Sequence, residues 1–191
     1  MNRIVAVFAM LALGFATMML VSCGSNELVK FERSAGLNGG FELMDAGYPV
    51  NWAFGPNPES VESFRVSVDT ERSVEGSNSL RLISTRDDRT KAFRSQSVPV
   101  ESGEEYRIAF SVINEGCSLR VNRVMTNASG MTHFQARTIV DTSESTAGWV
   151  RFEEIFTPVQ GEAYIFLVFL VDGVGTLWCD DVRVEERTSQ Y

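Results

Sequence analysis

One histidine and three cysteines are all the imidazole and thiol groups that 191 residues provide. A zinc site built from several Cys and His, or a Cys-His nucleophile pair, has too few members to assemble. Basic residues are also short, at 17 against 25 acidic, for a formal net charge of −8. No broad positive field draws in a phosphate backbone, which argues against nucleic acid as a partner. Amphipathic helical stripes with caps are missing too. What remains, with 44% hydrophobic and 22% charged residues, is the composition of one ordinary globular domain.

The first 22 residues read as a secretory signal and not as part of the fold. Met1-Asn2-Arg3 carries one positive charge, and Ile4 to Leu20 then runs without any charge. The stretch ends at Leu20-Val21-Ser22-Cys23, which resembles the bacterial lipobox, where the cysteine is lipidated and becomes the first residue of the mature chain. Several acyl chains on Cys23 would exceed the marginal membrane affinity of a single chain. Gly24, in place of Asp, is similar to sorting signals that send lipoproteins to the outer membrane. Processing removes Arg3 alone among charged residues, leaving 16 basic and 25 acidic residues and a net charge of −9. Residues 23–37 are expected to be a tether, with an apolar patch at Leu28-Val29-Lys30-Phe31, ahead of a domain over residues 38–187.

Within that domain apolar residues alternate with polar or small ones: Phe64, Val66 and Val68; Leu80 and Leu82; Tyr106, Ile108, Phe110 and Val112. A period of two puts one face of each segment in a core. Turn signals separate them at Gly55-Pro56-Asn57-Pro58, Glu75-Gly76-Ser77-Asn78, Glu101-Ser102-Gly103 and Asn127-Ala128-Ser129-Gly130. Many short strands at this spacing predict an all-β sandwich. Tyr164 to Val171 is apolar on both faces, so it is expected to be a central strand with core on one side and a covered or ligand-contacting surface on the other.

An ordered series of fragments carries a family resemblance. Asn38-Gly39-Gly40-Phe41-Glu42, Pro49-Val50-Asn51-Trp52 and Gly76-Ser77-Asn78-Ser79-Leu80-Arg81-Leu82 come first. Ser95-Gln96-Ser97-Val98-Pro99-Val100 leading to Gly103-Glu104-Glu105-Tyr106, Gly148-Trp149-Val150-Arg151-Phe152, and Gly175-Thr176-Leu177-Trp178-Cys179-Asp180-Asp181-Val182 follow in order. Together they resemble the carbohydrate-binding modules of the family 4 and 9 type. The resemblance implies a galactose-binding-like jelly roll of two antiparallel sheets, a non-catalytic module that holds a polysaccharide or oligosaccharide. It also implies core or corner roles for Trp52 and Trp149, and a structural Ca²⁺ tying the first strand to the last. The ligands so implied are Glu42, Asp181, the carbonyl of Gly40, and carbonyls around Glu75 and Asn78. Six to eight hard oxygens suit that ion. Trp178 is read in phase with Val182 and Val184.

A glycan needs an aromatic face and planar polar groups on a sheet face that the core does not consume. Counting back from Val98 and Val100 as core turns Phe93, Ser95 and Ser97 to the other face, which makes Phe93 the expected sugar platform. With Phe134 and Ala136 taken as core, His133, Gln135 and Arg137 line that face at steps of about 6.6 Å. Leu119 and Val121 as core add Arg120 and Asn122. An exposed Phe93 beside His133, Gln135 and Arg137 would favour a glycan site; a flat face without aromatics would favour a structural or assembly lipoprotein.

Catalysis finds less support. A lyase would use His133 as base with Arg137 neutralising a uronic acid, but only one histidine exists. Retaining glycoside hydrolysis needs two carboxylates about 5.5 Å apart in a cleft. Glu153-Glu154 and Asp180-Asp181 are strand neighbours whose side chains alternate to opposite faces. With Cys23 lipidated, Cys117 and Cys179 are either bridged, as an extracytoplasmic compartment permits, or two buried thiols.

Overall fold

The computed structural model describes residues 35–60, 62–130 and 132–187, apart from the side chains of Ala35, Ser60 and residues 132–135. The leader, Cys23 and the tether up to Ser34 lie outside the described residues.

Among the described residues thirteen strands make up nearly all the regular structure, with 3-10 turns at Ala35–Leu37 and Pro58–Ser60. The strands are β1 Met44–Asp45, β2 Tyr48–Pro49, β3 Trp52–Gly55, β4 Phe64–Asp69, β5 Ser79–Ser84, β6 Lys91–Ser95 and β7 Val98–Pro99. They continue with β8 Tyr106–Glu115, β9 Ser118–Thr126, β10 Thr132–Thr142, β11 Val150–Phe156, β12 Tyr164–Asp172 and β13 Gly175–Glu186. One sheet has the order β10-β9-β12-β6-β3, with β7 also on β12; the facing sheet has the order β11-β8-β13-β5-β4. All pairs are antiparallel, and β1-β2 forms a small separate hairpin. This is a β-sandwich jelly roll.

The alternation read from β4, β5 and β8 is what fills the space between the sheets. Phe64, Leu80, Leu82, Ile108 and Phe110 are all fully buried or within 1% of it. An aromatic run crosses the sandwich: Phe54 against Phe93, Phe93 stacked on Phe169 at 4.4 Å, Phe169 edge-on to Phe110 at 5.2 Å, and Phe110 against Phe152. Offset and edge-to-face rings of this kind add to burial in fixing the sheet spacing. Trp52 packs on Phe41, Phe93 and Phe169 and donates its indole N–H to the Asn38 carbonyl at 3.2 Å. Its expected core role is met, and Trp149 is half-buried.

Two ends of the domain meet at one corner. Val182 donates its N–H to the Gly39 carbonyl at 3.1 Å, and a Cβ on Gly39 would lie 1.8 Å from the Val182 oxygen. Only glycine allows this approach. The β4-β5 loop closes over the same corner, with Gly76 at φ +67°, where an added Cβ would lie 2.2 Å from the Glu42 carboxylate.

Strand β13 changes phase halfway. Leu177 and Cys179 face the core opposite Leu82 and Leu80, then a register shift between Asp180 and Arg183 brings Val182 and Val184 to the core. Asp181, at φ +53°, is the residue that absorbs the irregularity. Trp178 is therefore not in phase with Val182 and Val184. It lies on the outer face opposite Arg81, covered by the Arg72 guanidinium at 4.4 Å and the Arg81 guanidinium at 5.4 Å, with its N–H on Asp69 at 2.8 Å.

Candidate functional site

Strand β12 sits at the middle of the six-stranded sheet, between β9 and β6, as its two apolar faces predict. Ile165, Leu167, Phe169 and Val171 are fully buried in the core, while Phe166, Val168 and Leu170 are half-buried on the opposite, outer face. Register then fixes their neighbours there. Val168 lies between Arg94 and Asn122, and Leu170 between Ala92 and Arg120. Ala53 and Gly55 of β3 come next, opposite Arg94 and Ala92. Small residues on β3 and β6 beside larger ones on β12 leave a depression of about 180 Å³, lined by Ala53, Phe54, Gly55, Ala92, Phe93, Arg94 and Val168. The Arg94 guanidinium stands 5.7 Å from the centre of the Phe166 ring.

On the other flank, Arg120 pairs with Asp141 at 2.9 Å, and Asn122 accepts the Thr138 hydroxyl at 3.0 Å. Arg120 and Asn122 are thus on the outer face as expected, because Leu119 and Val121 are fully buried.

Two other expected site residues are elsewhere. Phe93 is 1% exposed, with its ring in the aromatic run of the core. The phase counted back from Val98 fails because the strand is interrupted: β6 ends at Ser95 and β7 begins at Val98, so both Phe93 and Val98 face inward. Arg137 is opposite Arg123, which is opposite core-facing Leu167, so it points to the inter-sheet side at the open edge. Its Nε is 3.3 Å from Glu154. A register shift between Thr138 and Val140 puts the stretch before it out of phase with core-facing Val140, and Ala136 is exposed. The side chains of His133 and Gln135 lie outside the described residues.

Arg123 approaches Glu154 at 3.4 Å and covers the Phe156 ring at 4.4 Å, and burial lowers its pKa. Glu153 turns the opposite way, to Arg151 at 2.8 Å, so Glu153 and Glu154 form no catalytic pair.

At the corner between first and last strands, the carboxylates among the expected calcium ligands, Glu42, Asp181 and the neighbouring Glu75, each hold another partner. Glu42 accepts the N–H groups of Ser77 at 2.6 Å and Asn78 at 3.0 Å, and Asn78 donates its amide to the Phe41 carbonyl. Gly40 is held between the Val182 contact at Gly39 and the buried Phe41. Asp181 bonds Arg151 through one oxygen and Arg183 through the other, and Arg183 also bonds Glu75. Among the described residues no three His, Cys, Asp or Glu side chains converge on one point. This donor set does not fit a cage of six to eight oxygens. Asp180, missed as a structural group, is fully buried; its oxygens accept the N–H groups of Val74 at 2.6 Å, Glu75 at 3.2 Å and Asp181 at 2.7 Å. Burial raises its pKa, against the pull of those N–H groups.

Cys117 and Cys179 are both free and buried. Burial pushes the Cys117 thiol up to about 11 and Cys179 well above its ordinary value.

No protein-family signature and no curated protein matches the chain. Solved structures do. The enzymatically active domain of bacteriophage CBA120 tailspike protein 4 aligns at a TM-score of 0.62 and 16% identity, covering 78% of this chain but 21% of the tailspike. A family 61 carbohydrate-binding module in complex with β-1,4-galactotriose aligns at 0.55 and 18% identity over 78% of this chain and 96% of the module. The family 22 xylan-binding domain of Paenibacillus barcinonensis Xyn10C aligns at 0.52 and 17% identity over 78% and 91%. The chain has the jelly-roll fold of the carbohydrate-binding modules.

Proposed function

We propose that the outer face of the six-stranded sheet binds a glycan without chemical change, and that lipidation of Cys23 anchors the chain to the bacterial outer membrane. The observation that carries the glycan reading is the pairing of an apolar strip, Phe166, Val168 and Leu170, with a one-ring-sized depression flanked by Arg94 and Asn122. Apolar floor suits the C–H face of a pyranose, and guanidinium and amide groups suit its hydroxyls. Phe166 takes the aromatic role first expected of Phe93. The jelly-roll modules of similar fold support the reading by analogy of fold alone.

A glycan array with residues 24–191 tests it across neutral and acidic polysaccharides. Arg94→Ala and Ala53→Leu, which fills the depression from an exposed position, are expected to cut any signal at least tenfold while leaving the thermal midpoint unchanged. Silence across the array refutes the glycan reading and favours a structural lipoprotein, for which the scarcity of exposed rings on this face is the supporting observation. A depolymerised product with new unsaturated absorbance refutes the non-catalytic part. Palmitate labelling lost in Cys23→Ser tests the anchor.

A further inference from the structure

The corner that joins the first and last strands gathers four carboxylates: Glu42, Glu75, Asp180 and Asp181. Brought together without compensation they would repel one another and oppose folding. Glu42 and Asp180 are satisfied by backbone N–H groups of the β4-β5 loop, two from Ser77 and Asn78 and two from Val74 and Glu75. The side chains of Asp181 and Glu75 instead meet guanidiniums.

We propose that Arg151 and Arg183 stand where a divalent cation would otherwise be required, so that this corner is closed by the chain's own charges and is independent of calcium. Arg183 spans three carboxylates, bonding Asp181 and Glu75 and lying 3.6 Å from Glu185. Arg151 spans Asp181 and Glu153. Both oxygens of Asp181, whose side chain is 7% exposed, are thereby taken, one by each arginine. A guanidinium presents five donors in a rigid planar fork, which matches carboxylates held on different elements better than a point charge does. The two arginines come from β11 and β13, so the tie joins strands two places apart in the five-stranded sheet to the loop above them. Covalently attached cations do not dissociate, and the corner stays closed where free calcium is scarce. The inference is independent of the glycan reading.

The full-length chain in mild detergent provides the test. Thermal midpoints are compared in chelator and in millimolar calcium, for wild type, Arg183→Met and Arg183→Lys. A cation filling a site at about a hundred times its Kd would raise the midpoint by about 5–11 °C. Wild type is expected to shift by less than about 1 °C, and calorimetric titration with calcium is expected to show no binding. Arg183→Met in chelator is expected to lose about 4–8 °C, since it strips a buried carboxylate of half its compensation. Arg183→Lys keeps the charge without the fork and is expected to fall between, which keeps the test informative if the Met variant does not fold. A calcium-dependent rise of several degrees in wild type, or an Arg183→Met midpoint equal to wild type, overturns the proposal.

Discussion

Replacing Phe93 by Ala separates two roles that the sequence alone confuses, a sugar platform and a core ring. Phe93 is 1% exposed, stacked on Phe169 at 4.4 Å with 11° between planes, and 5.7 Å from Trp52. Truncating a buried Phe costs about 3–5 kcal/mol in transfer and cavity terms. For a domain of this size each kcal/mol moves the midpoint by about 2–4 °C, so Phe93→Ala is expected to melt about 6–20 °C below wild type. A loss of that size consumes much of the 5–15 kcal/mol that holds an ordinary domain together, as an order of magnitude. Thermal unfolding followed by tryptophan emission is the assay, because the Trp52 indole lies 5.7 Å from the lost ring. Phe93→Leu, which keeps most of the volume, is expected to lose about 1–2 kcal/mol and to bind glycan as wild type does. A Phe93→Ala midpoint within about 2 °C of wild type, with weakened glycan binding, would refute the core assignment.

Removing the cover from Trp178 by Arg72→Ala is expected to cost about 1 kcal/mol, from the cation–π contact and the exposed pair with Glu115, and to red-shift tryptophan emission. The buried thiols are expected to resist Ellman's reagent in the native Cys23→Ser chain at pH 8 and to react as two equivalents after denaturation; rapid native labelling would contradict their burial. Acid unfolding has opposing contributions. Asp69, held low by the Trp178 N–H, and Asp181, raised by burial but brought below its ordinary value by Arg151 and Arg183, stabilise the fold above the unfolded carboxylate range and lose that contribution as pH falls through their folded values. Asp180, with its folded pKa raised, opposes them: its contribution is fully present below the unfolded value and lost as pH rises through the folded one. Asp181→Asn is therefore expected to flatten the fall of the midpoint below about pH 4, and Asp180→Asn to steepen the change above about pH 4, where the folded Asp180 carboxyl takes up its proton before the unfolded one does; unchanged slopes in both windows would sink the assignment.

Much of the fold was legible because period-two alternation is a direct image of a strand with one buried face. β4, β5 and β8 follow it without interruption, and the two-sided apolar run of β12 correctly marked the centre of a sheet. The site was legible only where the phase was counted over an unbroken strand. Arg120 and Asn122 were placed correctly because Leu119 and Val121 lie on the same continuous β9. Phe93 was misplaced by the break at Gln96 and Ser97, Arg137 by the irregular register of β10, and Trp178 by the shift at Asp180 in β13. Each inserts or removes one residue of pairing, which flips every side chain beyond it while leaving local composition unchanged. The arginines of the corner carried no such signal, since charge pairing between strands distant in sequence depends on sheet order.

The contact of Gly39 with Val182 bears on how the molecule would carry load. On the proposed function, the chain would be held at its N-terminal side by a membrane and at its sheet face by an immobile polymer, and pulled between those two points. Tension entering near residue 35 meets the last strand first, through the Gly39–Val182 bond and the Glu42 grip on the β4-β5 loop, before it reaches β3 and the six-stranded sheet. The corner then acts as a strain relief, sharing the pull with β13, which pairs on both sides within its sheet. Weakening it would let the first segment peel away under force, exposing Phe41 and Trp52.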